Sequence, residues 1–285
     1  MHIVSFFDPG TSTYSHLIVD PASDCCAIVD PVLDYDPAAA RIGHAGADRL
    51  IGYVRQRGLN VEWLLETHVH ADHLSAARYL RERVGGRIGI GAAIPQVQRA
   101  FAELFDVEAG FPCDGSQFDR LFADGERFCI GTLPVDVLHT PGHTPACVTY
   151  RVGDAAFVGD TLFMPDSGTA RCDFPGGDPR QLYRSIRRLF ELPDETRLFL
   201  CHDYTAPGRD SHCCQTTVGA QRAGNIHVGR EVSEDSFVAL RTRRDQELDM
   251  PRLLLPAVQV NMRAGELPPA AANGRRYLKL PLDCF

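Results

Sequence analysis

The sequence predicts an α/β fold built from two successive rounds of strands followed by helices. Three observations carry this prediction. Short β-type runs punctuated by Pro, Gly and Asp turns open the chain, amphipathic helical segments follow them, and the same succession restarts near residue 127.

Taken in order, β runs at 3–7, 14–20 and 25–30 are separated by Asp8-Pro9-Gly10 and Asp20-Pro21, which predicts an antiparallel meander. A helix over 47–57 follows, with Leu50, Ile51 and Val54 on one face and Gly58 as its stop. Residues 61–65 form the next strand, and the histidine-rich run Thr67-His68-Val69-His70-Ala71-Asp72-His73 begins just after it, leading into a predicted helix over 74–83. A strand at 87–90, a helix over 95–105 and an irregular Gly/Pro/Asp segment at 110–125 complete the first half. Strands resume at 127–130, 135–138, 147–152 and 155–158. A helix over 179–190 starts with Asp178 as N-cap and Pro179 at the first helical position, and turns Leu182, Ile186 and Leu189 inward. A strand at 198–200 runs into His202-Asp203. Residues 233–247 read as a charged helix, 253–260 as apolar, and the tail around Pro268-Pro269 and Asn273-Gly274 as a turn-rich cover. The expected organisation is one domain over 1–285, with 206–285 a C-terminal extension packed on it.

Hydrophobic residues make up 44% of the 285, enough for a substantial core and too many for a disordered chain. The net charge of −8 argues against nonspecific binding to nucleic acid or an anionic membrane. Lys279 is the only lysine, so an anionic substrate group is expected to meet arginine. No run approaches the roughly 20 apolar residues of a membrane span, and the start of the chain has no basic leader, which predicts a cytoplasmic protein. In that setting the ten cysteines are expected to be thiols; Cys25-Cys26 and Cys213-Cys214 are adjacent pairs, unlike the C-x-x-C of zinc knuckles.

Metal ligation needs several imidazoles and carboxylates converging on one point. The chain offers three clusters just after predicted strands, with His202 in a possible fourth: His68/His70/Asp72/His73, then His139 to His143, then Asp160 in Gly-Asp-Thr. Each alone could be a polar loop, and Asp72 could cap the following helix. Their succession favours a metal site.

The ordered set T-H-x-H-x-D-H, T-P-G-H, G-D-T and C-H-D resembles that of the metallo-β-lactamase superfamily, over residues 3–205. The resemblance implies an αββα sandwich of two mixed β-sheets flanked by helices, with a metal site at one edge. That scaffold hosts hydrolases and redox enzymes alike. Its hydrolase branch would put His68, His70, His143 and Asp160 on one metal, and Asp72, His73, His202 and the shared Asp160 on a second.

The segments Gly159-Asp160-Thr161-Leu162-Phe163, Gly168-Thr169-Ala170-Arg171-Cys172-Asp173-Phe174 and Cys201-His202-Asp203-Tyr204 are similar to those of the persulfide dioxygenases. This finer resemblance implies one Fe(II) per chain bound by His68, His143 and Asp160, with three positions open and Zn(II) as the alternative. His70, Asp72, His73 and His202 would then orient ligands and waters. The implied reaction oxidises glutathione persulfide with O2 to sulfite and free thiol. Two histidines and a carboxylate also suit oxygen-activating non-haem iron on chemical grounds.

Arg171, in an R-x-D-F signature, and Tyr204 are the candidate residues supporting the active site; the alternative for Arg171 is an ion pair with Asp173 or Asp203. Cys172 and Cys201 could carry sulfur, or simply be packed thiols. The longer 164–167 connection and C-terminal part leave other low-molecular-weight persulfides open as substrates. The competing enzyme is a dinuclear zinc thioester hydrolase resembling hydroxyacylglutathione hydrolase. A non-catalytic, metal-stabilised interaction module would need a closed site, whereas these clusters lie on loops and exceed four ligands. Superfamily enzymes of this type are often homodimers, and a separate sulfurtransferase is expected to supply the persulfide.

Overall fold

The computed structural model describes residues 1–284. Strands β1 (His2–Asp8), β2 (Thr13–Val19) and β3 (Cys25–Val29) form the antiparallel meander. Strands β4 (Asn60–Leu65), β5 (Arg87–Gly91) and β6 (Arg120–Phe122) then add in parallel, each beside the one before it. Parallel neighbours need long crossovers, and helices α1 (Ala45–Arg57), α2 (Ala77–Val84) and α3 (Ile94–Leu104) supply them.

The second sheet repeats the scheme. Strands β7 (Arg127–Ile130), β8 (Leu133–His139), β9 (Val148–Val152) and β10 (Ala155–Phe157) are antiparallel neighbours. Helix α4 (Pro179–Leu189) returns the chain so that β11 (Arg197–Phe199) lies parallel to β10, and β12 (Gln215–Thr217) closes the edge. Helices α5 (Val218–Gly224), α6 (Glu234–Glu247) and α7 (Leu254–Asn261) follow.

The alternation of strand side chains divides the core into three layers. On β3, Ala27 and Val29 face the second sheet, where they meet Val137, Val148, Tyr150 and Phe157. Cys26 and Ile28 point the other way, into a cluster with Leu50, Leu80 and Val97 from the first three helices and Val258 from α7. The outer face of the second sheet packs Ala156 and Leu198 against Leu182, Ile186 and Phe237. This is the expected αββα sandwich.

Several local expectations change. Leu74–Ser75 is a two-residue strand paired with Val32–Leu33, so α2 starts later than the predicted 74, because the Ser75 N–H is drawn to the Asn261 side chain at 2.7 Å. Asp72 does not cap α2: the N-cap position is Ala76 and makes no side-chain cap. The irregular segment hides β6, where Phe122 fills the inter-sheet core. Strand β12 and helix α5, both from the C-terminal part, went unpredicted.

The sheets are tied together beside their shared core by His16, only 1% exposed on β2. Its Nε2–H donates to the Leu200 carbonyl at 2.9 Å, and its Nδ1 lies 2.8 Å from the Ser5 hydroxyl. Burial pushes its pKa down to about 4. The unfolded chain therefore binds a proton between about pH 6.5 and 4 that the folded chain refuses, so this group makes stability fall as pH falls through that window. His16→Gln keeps a donor for Leu200 but cannot titrate. In pH-dependent denaturation it is expected to flatten the slope in that window by up to about 1.4 kcal/mol per pH unit.

Candidate metal centre

Four loops converge where strands end: Glu66–His73 after β4, Thr140–His143 after β8, the turn Gly159–Thr161 after β10 and His202 after β11. The seam between the sheets is closed there by the Tyr14 N–H bond to the Cys201 carbonyl at 2.7 Å. Gly159 permits the approach: its φ is +51°, and a Cβ on it would lie 2.5 Å from Thr67 Oγ1.

His68, His143 and Asp160 are brought together, all buried, with one ligand atom of each within 4.8 Å of the others. Asp160 Oδ2 lies 3.7 Å from His68 Nε2 and 3.6 Å from His143 Nε2. Two ligands on one ion with bonds of about 2.1 Å stand roughly 3.0–3.4 Å apart, so the three donors are close to the required spacing.

Hydrogen bonding fixes which nitrogens are free. The Thr67 hydroxyl donates its single proton to Asp30 Oδ2 at 2.9 Å, so its contact with His68 Nδ1 at 3.0 Å is donated by the ring. The Arg171 carbonyl accepts from His143 Nδ1 at 2.7 Å. Both rings thus carry a proton on Nδ1 and turn Nε2 towards Asp160. His68 Nε2 and Asp160 Oδ1 are buried without a hydrogen-bond partner, a costly condition that a cation at this point would relieve.

Asp30, which the sequence placed at the end of a predicted strand with no site role, organises this network. It follows β3 with φ +50° and accepts from the Thr67 N–H at 2.7 Å and from His70 Nε2 at 2.9 Å. Burial alone would raise its carboxyl, but the His70 charge and the Thr67 donors outweigh it and hold the pKa below the usual carboxylate range. The only signal in the sequence was an Asp ending an apolar strand. Glu66, also unpredicted, hydrogen-bonds Ser75 Oγ and lies 3.4 Å from His70 Nε2.

His70 consequently groups with Asp72, His73 and His202 rather than with the first three donors. His70 Nδ1, His73 Nε2 and His202 Nε2 are all buried without hydrogen-bond partners. His202 Nε2 sits 2.8 Å from Asp72 Oδ2 and 3.4 Å from Asp160 Oδ1, and its Nδ1 is 3.1 Å from Thr13 Oγ1. Burial, reinforced by neighbouring rings, pushes His68 well below its ordinary pKa and His73 to about 4, which keeps both neutral and able to ligate. Burial also lowers His202, but Asp72 more than reverses this.

Arg171 gives its guanidinium to Asp173 through two bonds of 2.6 Å and to the Asp249 carbonyl at 2.7 Å; Asp203 is instead paired with Arg209. It is the Arg171 backbone carbonyl that reaches the centre. The Tyr204 ring stacks beside His202 at 5.5 Å, and its hydroxyl donates to Asp72 at 3.0 Å. All ten cysteines are free thiols, and burial pushes the thiols of Cys172 and Cys201 up, which suits packed residues.

The C-terminal helices brace these loops. Asn261 on α7 donates to the His70 and His73 carbonyls, both at 2.8 Å. On α6, Arg241 donates to the Thr169 carbonyl at 3.0 Å and Asp245 accepts from the Cys172 N–H at 2.9 Å, pinning the loop that orients His143. His143, Asp160, Asp72, Tyr204 and Arg171 all line one cavity of about 730 Å³.

A sandwich with buried imidazoles and carboxylates facing such a cavity defines a metal-dependent enzyme scaffold. The Metallo-beta-lactamase superfamily model matches residues 8–202, and the chain belongs to that superfamily. A probable metallo-hydrolase of Burkholderia pseudomallei is 56% identical over the full length of both chains. Glyoxylase B2 of Dictyostelium discoideum is 48% identical, covering 96% of this chain and 94% of its own. Human mitochondrial persulfide dioxygenase ETHE1 is 28% identical, covering 93% of this chain and 89% of its own. The crystal structure of ETHE1 from Myxococcus xanthus aligns with a TM-score of 0.75 at 31% identity, covering 93% of this chain and 100% of the other. The chain spans 65% of the length of the beta-lactamase hydrolase-like protein of Agrobacterium fabrum, at 52% identity. No helix among the described residues is long and apolar enough to cross a membrane.

Thr67→Val preserves shape while removing the hydroxyl that fixes the His68 tautomer. Its metal affinity is expected to fall roughly 10–100-fold in chelator competition. An unchanged affinity would show that Thr67 does not orient the ligand.

Proposed function

We propose that the chain is an iron-dependent sulfur dioxygenase, oxidising glutathione persulfide or a related low-molecular-weight persulfide with O2 to sulfite and free thiol. One observation supports this reading above the rest: His68, His143 and Asp160 offer two imidazoles and one carboxylate, converging beside a large cavity. Such a set, held by three protein groups, suits non-haem Fe(II) better than a closed structural zinc site.

In this reading His68, His143 and Asp160 would hold one Fe(II) per chain, which would supply the redox chemistry that couples the persulfide to O2. Thr67 and the Arg171 carbonyl hold both imidazoles in the ligating tautomer. Phe163, Phe174 and Leu253 give the cavity apolar walls, which limit water near the reacting sulfur. Tyr204, braced on Asp72, forms a further wall. Overall, persulfide, O2 and water give free thiol and sulfite: the S–S bond breaks, and the terminal sulfur surrenders four electrons to O2. A separate sulfurtransferase would supply the persulfide.

The second reading is a dinuclear zinc thioester hydrolase of hydroxyacylglutathione hydrolase type. It is favoured by the unpartnered nitrogens of His70, His73 and His202 around Asp72, which could hold a second ion.

Anaerobic purification, metal analysis and O2 uptake with glutathione persulfide separate the two. The expected outcome is about one iron per chain and one O2 per sulfite formed, with His68→Ala lowering uptake at least ~100-fold. Two zinc ions per chain and turnover of S-lactoylglutathione without O2 uptake would overturn the oxygenase reading.

A further inference from the structure

The cavity beside His143 and Asp160 is lined by four arginines of two kinds. Arg171 is neutralised by Asp173, and Arg241 by Asp245. Arg244 and Arg252 are exposed and, among the described residues, have neither an ion pair nor a hydrogen bond. Of the lining aspartates, Asp72 and Asp160 belong to the metal centre and Asp166 is paired with Arg209. Two uncompensated guanidinium groups therefore remain on the cavity wall. Arg244 follows Arg241 by one helical turn on α6, so both project to the same side, and Arg252 lies in the turn between α6 and α7.

His227 supplies an independent observation. It lines the same cavity, is only 3% exposed, and its Nδ1 receives the Thr169 backbone N–H at 3.0 Å. Gly168 makes this possible: its φ is +90°, and a Cβ there would lie 2.2 Å from that nitrogen. A backbone N–H can only donate, so Nδ1 is the acceptor. Burial, helped by the charges of Arg241 and Arg244, pushes the ring pKa down to about 4, so the neutral ring carries its proton on Nε2. That Nε2 is buried and has no hydrogen-bond partner. Buried donors are rarely left in this state, and the cavity is where an acceptor can arrive.

We propose that His227, Arg244 and Arg252 form an anion subsite that grips the carboxylate- or phosphate-bearing tail of the thiol carrier whose sulfur faces the metal centre. The sulfur end of this assignment rests on the oxygenase reading; the anion subsite does not. A volume of about 730 Å³ accommodates a ligand of tripeptide size with its two ends in different chemical surroundings. Guanidinium forks suit carboxylates and phosphates alike, and the neutral imidazole N–H adds a directional bond.

The test is calorimetric titration of the metal-loaded full chain, kept anaerobic, with glutathione, glutathione diethyl ester and coenzyme A. At least one anionic thiol is expected to bind about tenfold or more tighter than the ester, as charge-assisted bonds would give. Preference for glutathione assigns the tail to a carboxylate, and preference for coenzyme A to a phosphate. Arg244→Gln and Arg252→Gln should each erase most of that preference with unchanged metal content. His227→Asn places an acceptor near Thr169 but lacks the far donor, and should weaken the preferred anion several-fold without lowering the melting temperature. Equal binding of the ester and both anions, or an Arg244→Gln/Arg252→Gln double variant that binds like the parent, would overturn the subsite. Charge-selective binding without O2 uptake would keep the subsite and remove the oxygenase reading. Uptake indifferent to these substitutions and to esterification would do the reverse.

Discussion

Burying a carboxylate and several imidazole lone pairs at one point is unfavourable unless something positive meets them, and that constraint governs the structure around Asp160. Its pKa is raised by burial, its Oδ1 has no hydrogen-bond partner, and His68 and His143 aim their Nε2 atoms towards it. A protein without a metal to bind would gain by hydrating or neutralising these groups. Here each ring is instead held in place from behind, by a hydroxyl on one side and a carbonyl on the other, so the ligating faces stay turned inward.

The same logic explains the buried acidic layer beneath the centre. Asp30 receives two donors from Thr67 and one from His70, and so links the end of β3 to the histidine loop. Its demand on His70 Nε2 turns that ring towards Asp72, His73 and His202. One carboxylate thereby divides the histidines into two groups and leaves the first with three donors rather than four.

The C-terminal part is tied into this centre. Asn261 takes hydrogen bonds to three residues of the His70–Ser75 stretch, while Arg241 and Asp245 hold both ends of the Thr169–Cys172 loop. These contacts are buried, where hydrogen bonds are hard to replace with water. Helix α6 and the turn leading into α7 also furnish the wall of the cavity that carries Arg244 and Leu253. Shape and charge at the mouth are thus set by a part of the chain that contributes none of the clustered metal-ligating side chains.

Legibility from sequence followed the range of the interactions concerned. The short β-type runs bounded by Pro, Gly and Asp turns, the apolar face of α4 and the succession His68, His143, Asp160, His202 are local or ordered patterns, and they sufficed for the α/β class, most elements and the metal-ligating residue types. The two-residue strand at Leu74–Ser75, the buried roles of Asp30 and Glu66, the engagement of Arg171 by Asp249, and the unpartnered Nε2 of His227 depend on partners 9 to 186 residues away or on a single side-chain orientation. Periodicity and spacing encode which residues can ligate. Which lone pair is free, and which guanidinium is unspent, is decided only when distant loops are packed together and compete for the same hydrogen bonds.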